Sequence, residues 1–565
     1  MKIPKIRDNE LISAIQWAKA DAEDDFCPDY VRYADYSLVA SQHVPQLITS
    51  CLRPDMQQLG RLVVPRPTSL LTRDTPWFPF CLRITYMLLL RRLLPKLQTC
   101  LSPSCHSSRV ENLDGGSYPW RAGRGVSAWA RFNNEYRKLI LDHGAEGFAI
   151  ATDLTSFFEH ISIRGFVAGL HTILDKSATD FADELSALGE LLEAAALKGR
   201  GLPQNMDASR FFADIYLRVV DDRLRAVPEL GYLRYVDDIR LVAKTRGAVL
   251  RGLQELEAQL KAAGLFLNSK KTELIDADDA EWIHAQEADH DFKLAECDEL
   301  LFTATKTKVE ECLRIACNEL QAARKHGKDR LIRAYGNRLL RVAQFVGVRS
   351  DACQQLEAIA LRGFRSHPGA ADKWAEFASP ALSQDGVREL LAILNAPDYN
   401  AYAWTNMWAI IAMARAQSLP AEAMDKLRTL AFDRAQPDYL RGWAAVAFAR
   451  HGDGLRRGEI VDACLTDSNS LFLKRAAVVA AQQLHSTMKA DIRAQTVGRD
   501  PMLSLLWEHL DAHPGYDWYQ FSSRDFAEAS ETDKKMSFYE AEGLVKGRRT
   551  KFKAYSRGTN YDERD

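Results

Sequence analysis

The sequence predicts an α+β fold in its first half, followed by an all-α region built as a HEAT-like array of helices. Up to about residue 280, helical stretches alternate with short apolar runs that look like buried strands. From about residue 305 onward the pattern is almost entirely helical. Three alanine-rich segments recur there at intervals of roughly 30–40 residues, which is typical of helical repeats. They are Trp404–Ala416, Tyr439–Arg450 and Leu471–Leu484, and an irregular helical bundle is the alternative interpretation.

Length and composition indicate a globular protein with several domains. A chain of 565 residues is too long for one core, so we expect two or three domains. The net charge is -2, so a nucleic-acid site would need a local basic groove. No apolar stretch is long enough to span a bilayer, and Tyr86–Leu94, with arginines beside it, fits a buried helix. Met1–Arg7 leads into acidic residues rather than an apolar signal core, so we expect a cytoplasmic protein.

The sharpest local feature is a pair of adjacent aspartates inside an apolar run. Asp237 and Asp238 follow Tyr235 and Val236, and apolar segments flank them on both sides. Two neighbouring carboxylates are costly to bury unless a cation neutralises them. A tight hairpin would place both carboxylates at its tip while its strands pack in the core. Taken alone this pattern is weak, because paired acids at a turn are usually just solvated.

A third aspartate ends an earlier apolar run. Within Gly147–Ile161 the run stops at Asp153, and a helix-like segment follows. Such an aspartate can meet the hairpin tip in space, giving three carboxylates around two divalent ions. Phosphoryl transfer needs that arrangement, because one metal lowers the pKa of the attacking 3′-hydroxyl and the other stabilises the pyrophosphate leaving group. Hard oxygen ligands suit Mg²⁺, or Mn²⁺ in its place. The predicted metal ligands are Asp153, Leu154, Asp237 and Asp238.

Two further blocks lie between and after these aspartates. Gly201–Gln204 is a loop containing Gly and Pro ahead of an apolar helix, which can support a template base and the incoming nucleotide. Gly264–Ile275 follows the hairpin after one helix and supplies Lys271, which can contact the triphosphate. The chain therefore contains four blocks whose chemistry is suited to a single nucleotide-handling site.

These four blocks, in this order and spacing, resemble the palm motifs of reverse transcriptases. Asp153 matches the first motif, Gly201-Leu-Pro-Gln204 the second, Tyr235-Val-Asp-Asp238 the third and Leu267-Asn-Ser-Lys-Lys-Thr272 the fourth. Upstream, Arg61-Leu-Val-Val-Pro-Arg66-Pro67 and Arg73 resemble the fingers hairpin that grips the triphosphate. The resemblance covers residues 55–280 and implies a right-hand polymerase with fingers and palm. It also implies an RNA-directed DNA polymerase that binds nucleic acid and deoxynucleoside triphosphates.

The resemblance further implies roles for individual side chains. Phe158 falls at the position that selects against the 2′-hydroxyl of a ribonucleotide, although Phe157 and Phe158 can also be interpreted as core residues. Lys271 matches the fourth-motif lysine, with Lys270 as the alternative. Asn205 stands where many reverse transcriptases have glycine, and Asn tolerates unusual backbone angles better than most residues. The predicted nucleotide-binding residues are Arg61, Arg66, Arg73, Phe158, Gln204 and Lys271.

Fingers and palm followed by a long helical region resemble the bacterial defence reverse transcriptases, including the abortive-infection group. No integrase, ribonuclease H, maturase or HNH segment is apparent downstream of the palm blocks. The resemblance implies DNA synthesis that is untemplated and primed by a protein hydroxyl, or templated by a dedicated non-coding RNA. It also implies homo-oligomers and a role in stopping phage propagation. Tyr555 and Tyr561, in a basic tail, are candidate priming residues.

We therefore expect five regions along the chain. They are an N-terminal and fingers region (1–145), a palm (146–280), a helical thumb-like connector (281–345), a helical repeat domain (346–520) and a basic polar tail (521–565). Two other functions stay open. One is a retroelement-type reverse transcriptase that copies a structured RNA, and strict template dependence would favour it. The other is an inactive palm that serves as scaffold for a helical binding module, and the three intact aspartates argue against it.

Overall fold

The computed structural model describes most of the chain as far as residue 513. The described residues are 6–39, 43, 45, 47–49, 59–66, 71–110, 118–120, 128–143, 147–276, 293–294, 296–301, 305–325, 329–346, 351–379, 382–396, 401–452, 454–466, 470–500 and 502–513. Pro67, the candidate priming residues Tyr555 and Tyr561, and the predicted tail 521–565 lie outside these ranges. Within the ranges, none of the helices has both the length and the apolar character needed to cross a bilayer.

The centre of the first half is a four-stranded antiparallel sheet in the order β4-β5-β3-β6. β4 (Gly231–Tyr235) and β5 (Asp238–Ala243) form a hairpin with a two-residue loop. β3 (Phe148–Thr152) pairs with β5 on one side and with β6 (Glu273–Asp276) on the other. Because β3 and β5 are antiparallel, the end of β3 lies beside the start of β5. Residues far apart in sequence therefore meet at this end of the sheet.

Helices pack against this sheet and complete the first hydrophobic core. The longest buried one is α2 (Phe80–Leu97), which confirms the prediction that Tyr86–Leu94 is a buried helix. The others are α1 (Asp8–Asp21), α3 (Ala128–His143), α4 (Phe157–His160), α5 (Ile163–Leu174), α6 (Ala182–Ala195), α7 (Asp207–Tyr216), α8 (Arg218–Arg225) and α9 (Arg246–Ala262).

A separate two-stranded hairpin lies where the resemblance places the fingers, and we call it the fingers hairpin. β1 (Gly60–Pro65) and β2 (Thr72–Trp77) pair antiparallel, with Gly60 opposite Trp77. Because successive side chains of a strand point to opposite faces, Leu62 and Val64 share one face of the hairpin and Arg61 lies on the other. Leu62 and Val64 are buried in the hydrophobic core of the helical half. The helical half therefore supports the fingers hairpin directly.

Most helices of the second half stack in two rows, and within each row a helix contacts the next one of that row. A helical hairpin of α10 (Lys306–Lys325) and α11 (Asp329–Val346) precedes the rows. One row contains α13 (Ala371–Ala378), α15 (Ala403–Ala414), α17 (Asp438–His451), α19 (Leu471–Ala480) and α21 (Leu503–Ala512). The other contains α12 (Asp351–Ser366), α14 (Gln384–Asn395), α16 (Ala421–Phe432) and α18 (Gly454–Thr466), and α20 (Ser486–Arg499) packs beside α21.

The three alanine-rich segments form α15, α17 and α19, which are consecutive members of one row. Ala409, Ala445 and Ala477 are completely buried between neighbouring helices. The distance between packed helices depends on the side chains at the contact, so small residues allow close stacking. The alternation of rows confirms the predicted HEAT-like array, and the irregular bundle is wrong.

The segment 26–36, which follows α1, joins the two cores. Trp404 of α15 donates its indole N–H to a main-chain carbonyl of this segment over 2.6 Å. Arg475 of α19 forms buried ion pairs with Asp29 and Asp35, at 2.6 and 2.9 Å. On its other side, tyrosines of the segment stack against the start of α2. The helical array is thus attached to the fingers and palm through buried polar and aromatic contacts.

Candidate active site

The tip of the β4–β5 hairpin carries two of the predicted catalytic aspartates. Tyr235 pairs with Asp238, so the loop consists of Val236 and Asp237. Val236 has a φ of 52°, in the left-handed region that the favoured two-residue hairpin loops use at their first position. A β-branched residue rarely adopts this conformation, so surrounding contacts must stabilise it. Asp237 and Asp238 therefore lie together at the tip, and both are partly buried.

A buried arginine that sequence reasoning missed holds this turn. Arg234 is completely buried, and its Nη1 donates to the carbonyl of Val236 over 2.9 Å. It forms ion pairs with Asp214 at 2.6 Å and Asp221 at 2.7 Å. The hydroxyl of Ser107 accepts the N–H of Val236 at 3.1 Å and donates to Asp214 at 2.5 Å. Both main-chain polar groups of Val236 are thus fixed by one buried network.

Asp153 follows β3 directly and lies beside the hairpin tip. In the β3–β5 register Thr152 faces Ile239, so the next position along the ladder brings Asp153 next to Asp238. Asp153 is 6% exposed, and its Oδ2 accepts a hydrogen bond from the ammonium of Lys271. Its Oδ1 is buried and has no hydrogen-bond partner among the described residues. Leaving a buried acceptor unsatisfied costs about 1–3 kcal/mol, so this oxygen is suited to a ligand such as a cation.

The neighbouring charges change the pKa of Asp237. The pKa of Asp237 is raised to about 7, first by burial and then by the negative charges of Asp238 and Asp153, while Lys271 acts in the opposite direction. Burial lowers the pKa of Lys271, but its hydrogen bond to Asp153 and the charges of all three aspartates outweigh this effect and raise it. Three carboxylates and one ammonium therefore act on one another at this end of the sheet.

The donor chemistry of the site fits a divalent cation. Its oxygens are hard ligands, which Mg²⁺ and Mn²⁺ prefer. A cation would also offset the burial and the neighbouring negative charges that raise the pKa of Asp237. Within the described ranges, no three His, Cys, Asp or Glu side chains already form a metal-binding group. The ammonium of Lys271 forms an ion pair with Asp153.

The raised pKa of Asp237 predicts that the stability of the metal-free protein depends on pH. The pKa of Asp237 is about 7 in the folded protein, against an ordinary value of 3.8. At a pH between these two values the carboxyl is ionised in the unfolded chain and protonated in the folded protein, so folding takes up a proton. The contribution of Asp237 to stability is therefore fully present below this interval and is lost as the pH rises through it. Asp237→Asn is expected to reduce that loss. Urea unfolding with a chelator, at about pH 5 and about pH 8, measures the difference, and equal losses in both proteins would contradict it.

The fourth sequence block attaches to the end of β3 and presents a lysine to Asp153. The N–H of Asn268 donates to the carbonyl of Asp153 over 2.9 Å. The carbonyl of Asn268 then accepts from the N–H of Lys271 at 3.0 Å and from the hydroxyl of Thr272 at 2.8 Å. This compact turn directs Lys271 to Asp153, so of the two lysines that the sequence left open it is Lys271, not Lys270, that makes this contact.

The two phenylalanines of α4 differ in burial. Phe157 is 2% exposed and belongs to the palm core, whereas part of the Phe158 side chain stays exposed at the edge of that core. Their ring centroids are 5.4 Å apart. The carbonyl of Phe158 accepts the N–H of Leu202 at 3.0 Å. Phe158 is therefore attached to the second sequence block and retains an accessible ring.

The loop of the second block has a residue with a positive backbone φ angle at each end. Gly201 has a φ of 101° and Asn205 a φ of 58°. Asn205 thus supplies the backbone angle for which many reverse transcriptases use glycine, and asparagine adopts it more readily than most residues. The N–H of Gln204 donates to the hydroxyl of Thr75 on β2 over 2.9 Å, and its Nε2 lies 3.3 Å from Glu159. The loop therefore connects the fingers hairpin with α4.

Arg66, which follows β1, reaches the same carboxylate. Its Nη2 is 3.2 Å from Oε2 and 3.3 Å from Oε1 of Glu159, and 2.5 Å from the hydroxyl of Ser156. Arg66 and Gln204 thus share Glu159, a residue to which sequence reasoning gave no role. An acidic residue directly after Phe158 is the only local signal for it.

The other two fingers arginines have different surroundings. Arg61 forms an ion pair with Asp74 at 2.8 Å and donates to the carbonyl of Ala195 at 3.1 Å. Arg73 lies on β2 opposite Val64. Arg66 shares the partner Glu159 with Gln204.

An antiparallel sheet with three aspartates at one end, beside a fingers hairpin, is the architecture of a nucleic-acid polymerase palm. Residues 87–293 match the family described as reverse transcriptase (RNA-dependent DNA polymerase). The chain therefore contains a reverse transcriptase domain, and the domain is of the RNA-directed DNA polymerase class of nucleotidyltransferases. The match confirms the resemblance carried by the four blocks, and together with the helical array it confirms the predicted fold class.

Telomerases are among the solved structures similar to this chain. Apo telomerase from Candida tropicalis truncated from its C-terminal domain is 15% identical, with a TM-score of 0.24, over 34% of this chain and 40% of that one. Apo telomerase from Candida tropicalis is 10% identical, with a TM-score of 0.28, over 88% and 74%. Telomerase from Candida albicans in complex with a TWJ fragment of telomeric RNA is 10% identical, with a TM-score of 0.26, over 60% and 71%. No curated protein matches the sequence.

Proposed function

We propose that the protein is a metal-dependent reverse transcriptase that adds deoxynucleotides to the 3′ end of a growing DNA chain. The observation that carries this proposal is Asp153, whose buried Oδ1 has no hydrogen-bond partner among the described residues and which lies next to Asp238 at the hairpin tip. Carboxylates gathered in this way are costly unless a cation neutralises them. A reverse transcriptase domain explains why the chain keeps them.

Asp153, Asp237, Asp238 and the main-chain carbonyl of Leu154 are the proposed ligands of two Mg²⁺ ions, or of Mn²⁺ in their place. When bound, such ions activate the 3′-hydroxyl and stabilise the pyrophosphate that leaves. The protein's own contribution is to hold the turn of Asp237 rigid through Arg234 and to align the substrate.

Lys271, Arg66 and Gln204 are the proposed contacts to the incoming nucleotide. Lys271 carries a side chain that is 64% exposed, so its ammonium has room to move from Asp153 to a phosphate oxygen. Arg66 provides a planar guanidinium suited to phosphate oxygens. Arg61 and Arg73 are proposed to add positive charge along the fingers hairpin.

Phe158 is the proposed sugar-selecting residue. Replacing it with alanine is expected to raise the efficiency of ribonucleotide over deoxynucleotide incorporation by about 10- to 100-fold, because a steric contact worth about 1–3 kcal/mol disappears. The ratio of kcat/KM for the two nucleotides measures this effect. Phe158→Tyr keeps the ring and should keep the selectivity. An unchanged ratio in Phe158→Ala would assign the selectivity to another residue.

Incorporation by the purified chain tests the proposed activity. Labelled deoxynucleotides and Mg²⁺ are supplied with a primed RNA template, with a primed DNA template, or without added nucleic acid. We expect deoxynucleotide incorporation in at least one of these reactions and its loss in the presence of a chelator. Folded protein that incorporates nothing in all three would contradict the proposal.

We further propose an anti-phage defence role for this activity. The support is the order of the parts, since a reverse transcriptase domain is joined here to a HEAT-like array that contacts the fingers hairpin. The proposed synthesis is untemplated and primed by a protein hydroxyl, or templated by a non-coding RNA, in a cytoplasmic homo-oligomer. Tyr555 and Tyr561 are the proposed priming residues.

Sequencing the nucleic acid that co-purifies with the protein separates the remaining functions. DNA attached covalently to the protein would favour protein priming, and one enriched non-coding RNA would favour a dedicated template. A structured RNA copied with strict template dependence would favour a retroelement-type enzyme. Bound RNA without any DNA product would favour an inactive palm that acts as scaffold for the helical array.

A further inference from the structure

Glu159 is the point where three parts of the nucleotide site meet. It lies on α4, directly after Phe158, and its carboxylate contacts Arg66 from the fingers and Gln204 from the second block. Both of these partners are proposed to bind the incoming nucleotide. The carboxylate of Glu159 therefore accepts hydrogen bonds from the same donors that a phosphate group would use. Guanidinium groups bind carboxylates and phosphates with similar geometry.

The contacts of Glu159 are long and partly exposed. Arg66 lies 3.2 Å from Glu159, and the two side chains are 23% and 24% exposed. The buried pair between Arg234 and Asp214 measures 2.6 Å, with both side chains completely buried. Strong charge-assisted bonds are short, and partly exposed pairs contribute little stability. The Glu159 contact is therefore of the kind that a competing anion can displace.

We propose that Glu159 acts as a resident anion that the triphosphate of the incoming nucleotide must displace. The inference rests on the proposed function, because it assumes that Arg66 and Gln204 bind nucleotide. In the absence of nucleotide, Glu159 joins the fingers to α4 and neutralises Arg66. Its negative charge also repels phosphate. Glu159 therefore sets the nucleotide affinity of the site below the value that its donors alone would give.

Other contacts keep the donors in place when Glu159 is neutralised. Arg66 also donates to the hydroxyl of Ser156 and to the carbonyl of Thr72, at 2.5 and 3.4 Å. Gln204 keeps its main-chain bond to Thr75 at 2.9 Å. Loss of the carboxylate charge therefore removes a competitor without releasing the groups that bind phosphate. Tighter binding, not weaker, is the expected consequence.

Binding of inorganic triphosphate and of a deoxynucleoside triphosphate, measured by calorimetry with a chelator present, tests this proposal without requiring catalysis. Glu159→Gln is expected to tighten both affinities about 3- to 10-fold, as expected for loss of a like charge near an anion. Glu257→Gln is the matched control, because it makes the same chemical change in an exposed pair with Lys261 on α9. The control should bind as the natural protein does.

A second substitution tests whether Glu159→Gln acts through Arg66 or indirectly. In an Arg66→Gln background the same change should have a much smaller effect, because the arginine on which the two anions compete is gone. The proposal would be overturned if Glu159→Gln bound triphosphate as tightly as the natural protein or more weakly, with an unchanged melting temperature. Glu159 would then be a residue that orients Arg66 and Gln204. Absence of binding by every variant and by the natural protein would overturn the proposed function and this inference with it.

Discussion

Replacing Asp237 with asparagine is expected to reduce deoxynucleotide incorporation about a thousandfold. The change removes a charged oxygen ligand while keeping the shape of the side chain. Metal ions contribute several kcal/mol to phosphoryl transfer, and each 1.4 kcal/mol corresponds to about a factor of ten in rate. Single-turnover extension of a labelled primer measures the effect. Asp153→Asn is expected to have an effect of similar size.

The same variant separates catalysis from folding. Because the pKa of Asp237 is raised to about 7, Asp237→Asn should be at least as stable as the natural protein at neutral pH without metal. Urea unfolding of both proteins checks this expectation, and equal stability would assign a loss of activity to catalysis. Asp222→Asn is a matched control, since Asp222 pairs with Arg218 at the surface and should leave incorporation unchanged. Incorporation by Asp237→Asn at the natural rate would remove Asp237 from the catalytic site.

Replacing Arg234 with methionine is expected to destabilise the protein by about 3–5 kcal/mol, the usual effect of removing one partner from a buried ion pair. Asp214 and Asp221 would be left buried without their shared cation. Val236 would also lose the bond that holds its carbonyl. Arg234→Lys should recover little of this, because a lysine cannot replace the several directed N–H groups of a guanidinium. The midpoint of urea unfolding measures the difference.

Arg388→Met is the matched control for this prediction. Arg388 forms an exposed pair with Asp385 on α14, and such pairs contribute about 0–1 kcal/mol. If Arg234→Met unfolds at the same urea concentration as the control, the network does not support the hairpin in the way described above.

The palm could be predicted from sequence because its signals are local. Each block combines an apolar run with a polar residue at its end, and the pairing of β3 with β5 then brings Asp153 to Asp238. The helical array was predictable for a similar reason, since alanine-rich helices at regular intervals stack in one row.

Residues whose partners are distant in sequence could not be predicted. Arg234 meets Asp214, and Ser107 meets Val236, only after helix and sheet have packed. An arginine inside an apolar strand is the only sequence signal of this network. Arg475 and Asp29 are separated by 446 positions, so nothing local indicates that they pair.

The fingers show the same limit of sequence reasoning. A basic stretch that contains a turn predicts a hairpin. Which of its arginines faces α4 depends on the alternation of side chains along the strands and on the elements that pack against the hairpin. Arg66 reaches Glu159, whereas Arg61 pairs with Asp74.

The central claim is that Asp153, Asp237 and Asp238 together bind the catalytic divalent ions. Iron-directed cleavage tests it most directly, because Fe²⁺ bound in place of Mg²⁺ reduces added hydrogen peroxide to hydroxyl radicals, with ascorbate returning the iron to Fe²⁺, and these radicals cut the neighbouring main chain. We predict cuts close to residue 153 and close to residues 237–238 in the same molecule, suppressed by excess Mg²⁺ and absent from Asp153→Asn. A folded protein that is cut at neither position, or at both equally in Asp153→Asn, would contradict the claim.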